Sequence, residues 1–211
     1  MKNSLSKVLI ISGVLLILVA VGLFVYSRID DHLAGLRAQR LLEQVLSDGW
    51  DIVVLDEAEQ HTAPHDPSAI ALVNDEEDQH SSGYAGRQII GILEIPSLKL
   101  ALPVLHASTN ALLNISVARY TGDVSERPER LVIAGHNFDS HFGRIYTLSP
   151  GDEILFTTPG GQTFSYSMIR LESCHMSEKE AVQAGDDWEI TLLTCQDDRT
   201  MRYLVRFAAT G

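Results

Sequence analysis

Cysteine is nearly absent: the 211-residue chain holds two, Cys174 and Cys195. Two thiols cannot form the multi-bridge framework of a small secreted scaffold. A zinc centre drawn from His136, His141, Cys174, His175 and Cys195 would lack the close-set Cys-x-x-Cys or His-x-x-x-His spacing that such sites use, so no metal site is expected. Positive charge is also scarce, with 16 Lys and Arg against 28 Asp and Glu and a net charge of -12. Phosphate affinity needs clustered Lys and Arg, and here they are scattered, which removes nucleic acid as an expected partner. No internal repeat is visible, so the chain does not read as a repeat array. What remains is a globular composition, 45% hydrophobic and 7% aromatic, sufficient for one ordinary domain and some additional segments.

One long stretch lacks charge altogether. Between Lys7 and Arg28, residues 8–27 are mostly Val, Leu and Ile, and as a helix they would reach roughly 30 Å, the thickness of a bilayer core. The apolar region of a cleaved signal is shorter and ends at small residues, and no Ala-x-Ala follows Tyr26 directly, so an uncleaved transmembrane anchor is expected. Lys2 and Lys7 on one side nearly balance Arg28, Arg37 and Arg40 on the other. A short tail, 1–7, inside the cell and a large acidic domain outside it fit this order, giving a single-pass protein of the cell membrane with its domain extracellular.

Beyond the anchor, Ile29, Leu33, Leu36, Leu41, Val45 and Leu46 recur at loosely helical spacing and predict an amphipathic juxtamembrane helix over 28–49, acting as a spacer or a membrane-surface stripe. Residues 50–87 turn polar and acidic and predict a flexible linker. Its acidic centre leaves calcium dependence open, although no cofactor is called for. From 88 to 211 the texture is short strands between turn residues. Strands are predicted at 89–95, 99–105, 131–135, 153–158, 162–172, 188–195 and 201–208, with turns at Pro150-Gly151-Asp152 and Pro159-Gly160-Gly161. Short helices are predicted at 109–117 and 177–184, the second opened by Ser177 with Glu180 three residues on, a capping-box pattern. Seven or eight strands in a domain of this size imply a mainly β fold closed into a barrel, which leaves no exposed edge.

The last two strands carry the densest information. Period-two alternation places Ile190, Leu192 and Thr194 on one face of the first, and Tyr203, Val205 and Phe207 on one face of the second. An antiparallel hairpin that pairs Ile190 with Phe207 and Leu192 with Val205 also pairs Cys195 with Arg202. A fixed guanidinium beside a thiol favours the thiolate, which is the nucleophile. His136 ends the apolar run Leu131-Val132-Ile133-Ala134-Gly135, so a rigid strand would deliver its imidazole to the barrel rim; a satisfied core histidine is the alternative. His141 and His175 are weaker candidates, since loop-like residues surround them. Arg206, on the same face as Arg202, is expected to pair with a carboxylate. Thiol, imidazole and guanidinium together supply the nucleophile, the proton carrier and the charge stabilisation that acyl transfer from an amide requires.

The segments Ile92-Leu93-Glu94-Ile95-Pro96-Ser97-Leu98-Lys99-Leu100-Ala101-Leu102-Pro103-Val104, Val132-Ile133-Ala134-Gly135-His136, Thr191-Leu192-Leu193-Thr194-Cys195 and Arg202-Tyr203-Leu204-Val205 resemble, in this order, the sortase family. The resemblance implies an eight-stranded β-barrel and a membrane-anchored cysteine transpeptidase of mostly Gram-positive bacteria. Such an enzyme cleaves a C-terminal sorting signal similar to Leu-Pro-x-Thr-Gly on a secreted protein, holds the acyl part as a thioester and transfers it to an amine of a cell-wall precursor or pilin. By the same resemblance Cys195 is the nucleophile, His136 the general acid and base, and Arg202 the group that holds the oxyanion or orients the signal, while Thr194 lines the substrate site. A thiol hydrolase that resolves the thioester with water, and a membrane-tethered β-barrel binding module with an incidental thiol, are the alternatives. Cys174 is expected to be a free, packed side chain rather than a disulfide partner of Cys195, and removing residues 1–87 is expected to leave a soluble, active domain.

Overall fold

The computed structural model describes residues 2–48, 89–124, 127–197 and 200–210, with the side chains of 12–22 and 31–47 in the first helix. The linker expected over 50–87 lies outside the described residues. The chain divides into two units, Met1–Leu33 and Ala34–Gly211. The first unit is helical and belongs to α1, Lys2–Asp48. Its Val14, Leu15, Leu16, Ile17, Leu18, Val19 and Val21 are exposed. Among the described residues no helix is long and apolar enough to cross a membrane, and the expected span over 8–27 extends past the described side chains at both ends.

The second unit is a closed barrel of eight strands: β1 Ile89–Ile95, β2 Leu100–Leu105, β3 Val117–Asp123, β4 Glu129–Ala134, β5 Glu153–Thr157, β6 Thr163–His175, β7 Ile190–Cys195 and β8 Met201–Ala209. They close in the order β1-β2-β3-β4-β7-β8-β6-β5. Two joints are parallel, β2 with β3 and β4 with β7, and both need a crossover because parallel strands cannot be joined by a tight turn. The first crossover contains the short helix α2, Asn110–Leu113, and the second contains β5, β6 and α3, Lys179–Gln183. The barrel interior is packed with side chains, among them Leu93, Leu131, Ile133, Phe156, Leu192, Val205 and Phe207, so it is a core and not a pore.

Strand β3 went unseen in the sequence, where its start was assigned to a helix. The observed helix α2 ends at Leu113, capped by Thr109, whose hydroxyl accepts the Leu112 N–H at 3.3 Å. Two irregularities in the pairing of β3 with β4 break its alternation, which is why no period-two signal marks it. The capping box at Ser177 also does not form. The Ser177 hydroxyl meets His175 Nδ1 at 2.7 Å, and α3 starts after Glu178 without a side-chain cap.

Both faces of β7 and β8 are buried for most of their length. The outer face of the barrel is covered by a second apolar cluster that includes Leu41, Val45, Leu112, Leu113, Val182 and Trp188. Leu41 and Val45 belong to α1, and with Ala34 and Ala38 they form a stripe no more than 3% exposed, whereas Leu33 and Leu46 face solvent. Residues 34–45 therefore pack on the barrel, where a spacer or membrane stripe was expected, and a cut at residue 88 would strip this cover away. Leu41→Ala should accordingly lower the unfolding free energy by about 2–5 kcal/mol, and Leu46→Ala, at a side chain 71% exposed, should change it by less than about 0.5 kcal/mol. Urea unfolding of the full chain followed by tryptophan fluorescence checks both, and equal effects would mean that the stripe is not docked.

Candidate active site

Topology assembles the site. In a parallel pair both strands end at the same rim, and β4 runs parallel to β7 with Leu131 opposite Ile190 and Ala134 opposite Leu193. The ladder continues one step further, as the Gly135 N–H donates to the Leu193 carbonyl at 3.0 Å. That register brings His136, the next residue, level with Cys195. Strand β8 returns antiparallel from the same rim with Cys195 opposite Arg202, Leu192 opposite Val205 and Ile190 opposite Phe207, the expected register at each position. On the far side of β8, Arg202 is opposite Cys174 of β6. His136, Cys195, Arg202 and Cys174 thus form one row across four neighbouring strands.

Alternation gives the row its face. Val132, Ala134, Leu193 and Leu204 belong to the outer apolar cluster, and Leu131, Ile133, Leu192 and Val205 to the barrel interior. The row shares the parity of the outer set. Cys195 is half-buried at the strand end, His136 is 9% exposed and Arg202 is 1% exposed. The thiol can be reached, while the guanidinium next to it is shielded from water, where its charge acts more strongly on its neighbours than in bulk solvent.

Gly135 makes the approach of His136 possible. A Cβ at this position would lie 2.8 Å from the Phe142 ring and 2.8 Å from Val117, too close for any side chain to fit. Phe142 is fully buried and its N–H donates to the His136 carbonyl at 3.0 Å. His141 and Gly143 both donate to the Phe138 carbonyl, at 2.9 and 2.8 Å, and the Phe138 ring lies 5.0 Å from the His136 ring. His136 is therefore held from both sides by a tightly bonded loop. Asn137, just beyond it, donates to Asp197 at 3.1 Å and ties this loop to the one after Cys195.

The other candidates fall elsewhere. Thr194 is 1% exposed and has the inward parity of Ile190 and Leu192, so its side chain lies across the ladder from the row, and the expected substrate contact through it is not brought together with the other three. His141 is fully buried beneath the loop, and His175 is exposed at the end of β6 with Ser177. Arg206 is completely buried and donates to Glu172 at 2.9 Å, Thr191 at 2.8 Å and the carbonyls of Val182 and Ala181, both at 2.7 Å, the carboxylate pairing expected of it. Burial alone would raise the Glu172 pKa, but hydrogen bonds from Arg170 and Arg206 hold the carboxyl below its usual range. The Trp188 ring lies 4.6 Å from the Arg206 guanidinium and 4.1 Å from that of Arg130, a cation–π clamp on the chain entering β7. Sequence reading missed Arg130 because its donors reach the carbonyls of Gly185 and Gln183, a contact with no local signature.

Both cysteines are free thiols. With β8 between them, two ladder steps of about 5 Å put their Cα atoms roughly 10 Å apart, beyond the about 7 Å that a disulfide spans. Cys174 is buried, and burial pushes its thiol pKa up against the pull of the Arg202 charge.

The barrel has relatives among known proteins. Residues 93–210 match the family model described as a Sortase domain. The chain is 31% identical over 124 residues to Sortase A of Bacillus anthracis, covering 56% of this chain and 59% of that protein. It is 26% identical over 206 residues to Sortase A of Staphylococcus aureus, covering 93% of this chain and 90% of that one. Among solved structures, sortase C from Clostridium perfringens superposes with a TM-score of 0.52 at 25% identity, covering 59% of this chain and 71% of that one.

The contrast between the two thiols is directly measurable. At neutral pH one equivalent of iodoacetamide should modify Cys195 and leave Cys174 unmodified, as read by peptide mass mapping, because the thiolate is the reacting species and Cys174 is both buried and held protonated. Equal labelling of the two would contradict this assignment.

Proposed function

This chain belongs to the sortase family, and on that footing we propose that it is a cysteine transpeptidase in which Cys195, His136 and Arg202 carry the reaction. The observation that carries the reading is the shared register of β4, β7 and β8, which sets imidazole, thiol and guanidinium in one row at one rim. The Cys195 thiolate adds to the scissile carbonyl of a sorting signal, and the charge that gathers on the carbonyl oxygen is held by Arg202. Collapse of this intermediate breaks the C–N bond, His136 gives its proton to the departing amine, and the acyl part stays on sulfur as a thioester. An acceptor amine then attacks the thioester, His136 takes a proton from it, and the thiolate leaves as a new amide forms. The substrate class is a secreted protein with a Leu-Pro-x-Thr-Gly-like signal, and the acceptor is an amine of a cell-wall precursor or pilin. Residues 8–27 serve as the membrane anchor, with the barrel on the extracellular side; their uncharged length supports this.

Incubating the protein with signal peptides, with and without triglycine, tests the reaction. Mass spectrometry should find an acyl adduct on Cys195 and, with triglycine present, a new amide. Cys195→Ala should give neither, and Arg202→Lys should lose at least about tenfold in kcat/KM, because lysine lacks the planar multi-donor fork. Product that is hydrolysed whatever the amine would identify a hydrolase instead. For the anchor, the full chain should stay with membranes after alkaline carbonate extraction and a chain lacking 8–27 should be released; release of both would remove the anchor.

A further inference from the structure

The helix stripe and the histidine loop meet at one point. Gly35 of α1 is so close to Ser140 that a Cβ built on it would lie 2.9 Å from the Ser140 Cβ and 3.6 Å from its Oγ. Glycine is disfavoured inside a helix, since it gains backbone freedom on unfolding, so its presence here answers to the close approach. Around it the helix is fixed to the barrel. Ala34 and Ala38 are 1% exposed, Leu41 and Val45 are buried in the outer cluster, and Arg37 donates to the Asn114 carbonyl at 3.4 Å.

Ser140 stands in the loop that begins at His136. Its neighbours His141, Phe142 and Gly143 all donate backbone hydrogen bonds back to Phe138 or His136, and Phe142 is wedged against Gly135 in the core. The loop also reaches outward to fixed points, with Arg144 donating to the Leu98 carbonyl at 3.0 Å and Tyr146 stacked on Tyr203 of β8 at 5.5 Å. A segment bonded at this density has little slack. A displacement imposed at Ser140 is therefore passed to His136 and not absorbed locally.

We propose that residues 34–45 of α1 are a positioning element for His136, seated against the histidine loop through the Gly35 and Ser140 contact. Turnover by the rim of the barrel then depends on a helix far from it in sequence. The proposal deepens the transpeptidase reading and rests on His136 as its proton carrier. It concerns geometry alone: residues 34–45 act through the histidine loop, as positioning residues and not as catalytic ones.

The contact admits a test by complementary substitution in the full chain. In Gly35→Ala the two facing atoms are both Cβ, so no rotamer change relieves the overlap and only backbone movement can. The loop then shifts, kcat for transfer to triglycine falls about tenfold with little change in KM, as misplacement of a catalytic group does, and the His136 ring resonances move in the NMR spectrum. Ser140→Gly added to Gly35→Ala removes the facing Cβ and restores both. The helix preference of alanine over glycine offsets part of the cost of the overlap, and a cooperative thermal transition well above the assay temperature in Gly35→Ala separates misplacement from unfolding. Wild-type kcat and unmoved His136 resonances in Gly35→Ala would overturn the proposal, as would a loss that Ser140→Gly does not reverse. A wild-type chain that forms no thioester, or a His136→Ala variant with full turnover, would instead overturn the transpeptidase reading, and the His136 resonances would still report on the contact.

Discussion

The parallel joint between β4 and β7 is the constraint on which the rest depends. Had these strands been antiparallel neighbours, the end of β4 would lie at the rim opposite the end of β7, and no choice of loop could bring the residue after Gly135 level with Cys195. Because they run the same way, four consecutive register pairs from Leu131 with Ile190 to Ala134 with Leu193 carry the alignment to the rim. Strand β8 then only has to turn back to set Arg202 beside the thiol. The cost of a parallel joint is a long crossover, and here it is the whole excursion through β5, β6 and α3. That excursion in turn supplies β6, whose Cys174 closes the far side of Arg202.

Register in the last hairpin is protected by chemistry more than by burial. Burial of one face would not be enough, because Thr191, Leu193, Leu204 and Arg206 on the other face are also at most 1% exposed. A slip of one residue would exchange two buried sets, and the sets are not equivalent. The inward set is apolar apart from Thr194 and Tyr203, while the outward set contains a guanidinium with a carboxylate and two carbonyls waiting for it. Turning Arg206 into the barrel would leave its donors without partners among Leu93, Phe156 and Ile133, and an unpaired buried charge is among the most expensive errors a fold can make. Arg206 therefore fixes the position of Arg202 without taking part in the same site.

Legibility followed the strength of local periodicity. The β7 and β8 hairpin could be paired from sequence to the residue because two clean alternations had to match, and His136 stood out because an apolar strand ended on it. Strand β3 carried no such pattern, since two irregularities in its ladder shift its side chains between faces. Thr194 is instructive in another way. Alternation put it on the buried face with Ile190 and Leu192, where it is found at 1% exposure, while its place at the substrate came from resemblance alone. Of the docked stripe of α1, Leu41 and Val45 stood in the helical pattern together with the exposed Leu33 and Leu46, and nothing in that pattern told the two pairs apart. The side chains that touch the barrel at Ala34 and Ala38 are small, and smallness carries no period signal even where close approach requires it.

Two arginines on one strand face, four residues apart, illustrate how a fold separates structure from chemistry. Arg206 is held fast: Glu172, Thr191 and two carbonyls take four of its hydrogen bonds and Trp188 covers its plane. Desolvation draws its pKa down from the ordinary guanidinium range and Glu172 works against that, so its charge is largely spent within its own network. Arg202 has no carboxylate opposite it in the ladder; its two cross-strand neighbours are thiols. A thiol that burial keeps protonated, as it does Cys174, brings no negative charge to that side of Arg202, and on its other side stands the half-buried thiol of Cys195. An acidic residue in place of Cys174 would set a carboxylate opposite Arg202 at this register position, so the unreactive cysteine matters to the site by staying neutral.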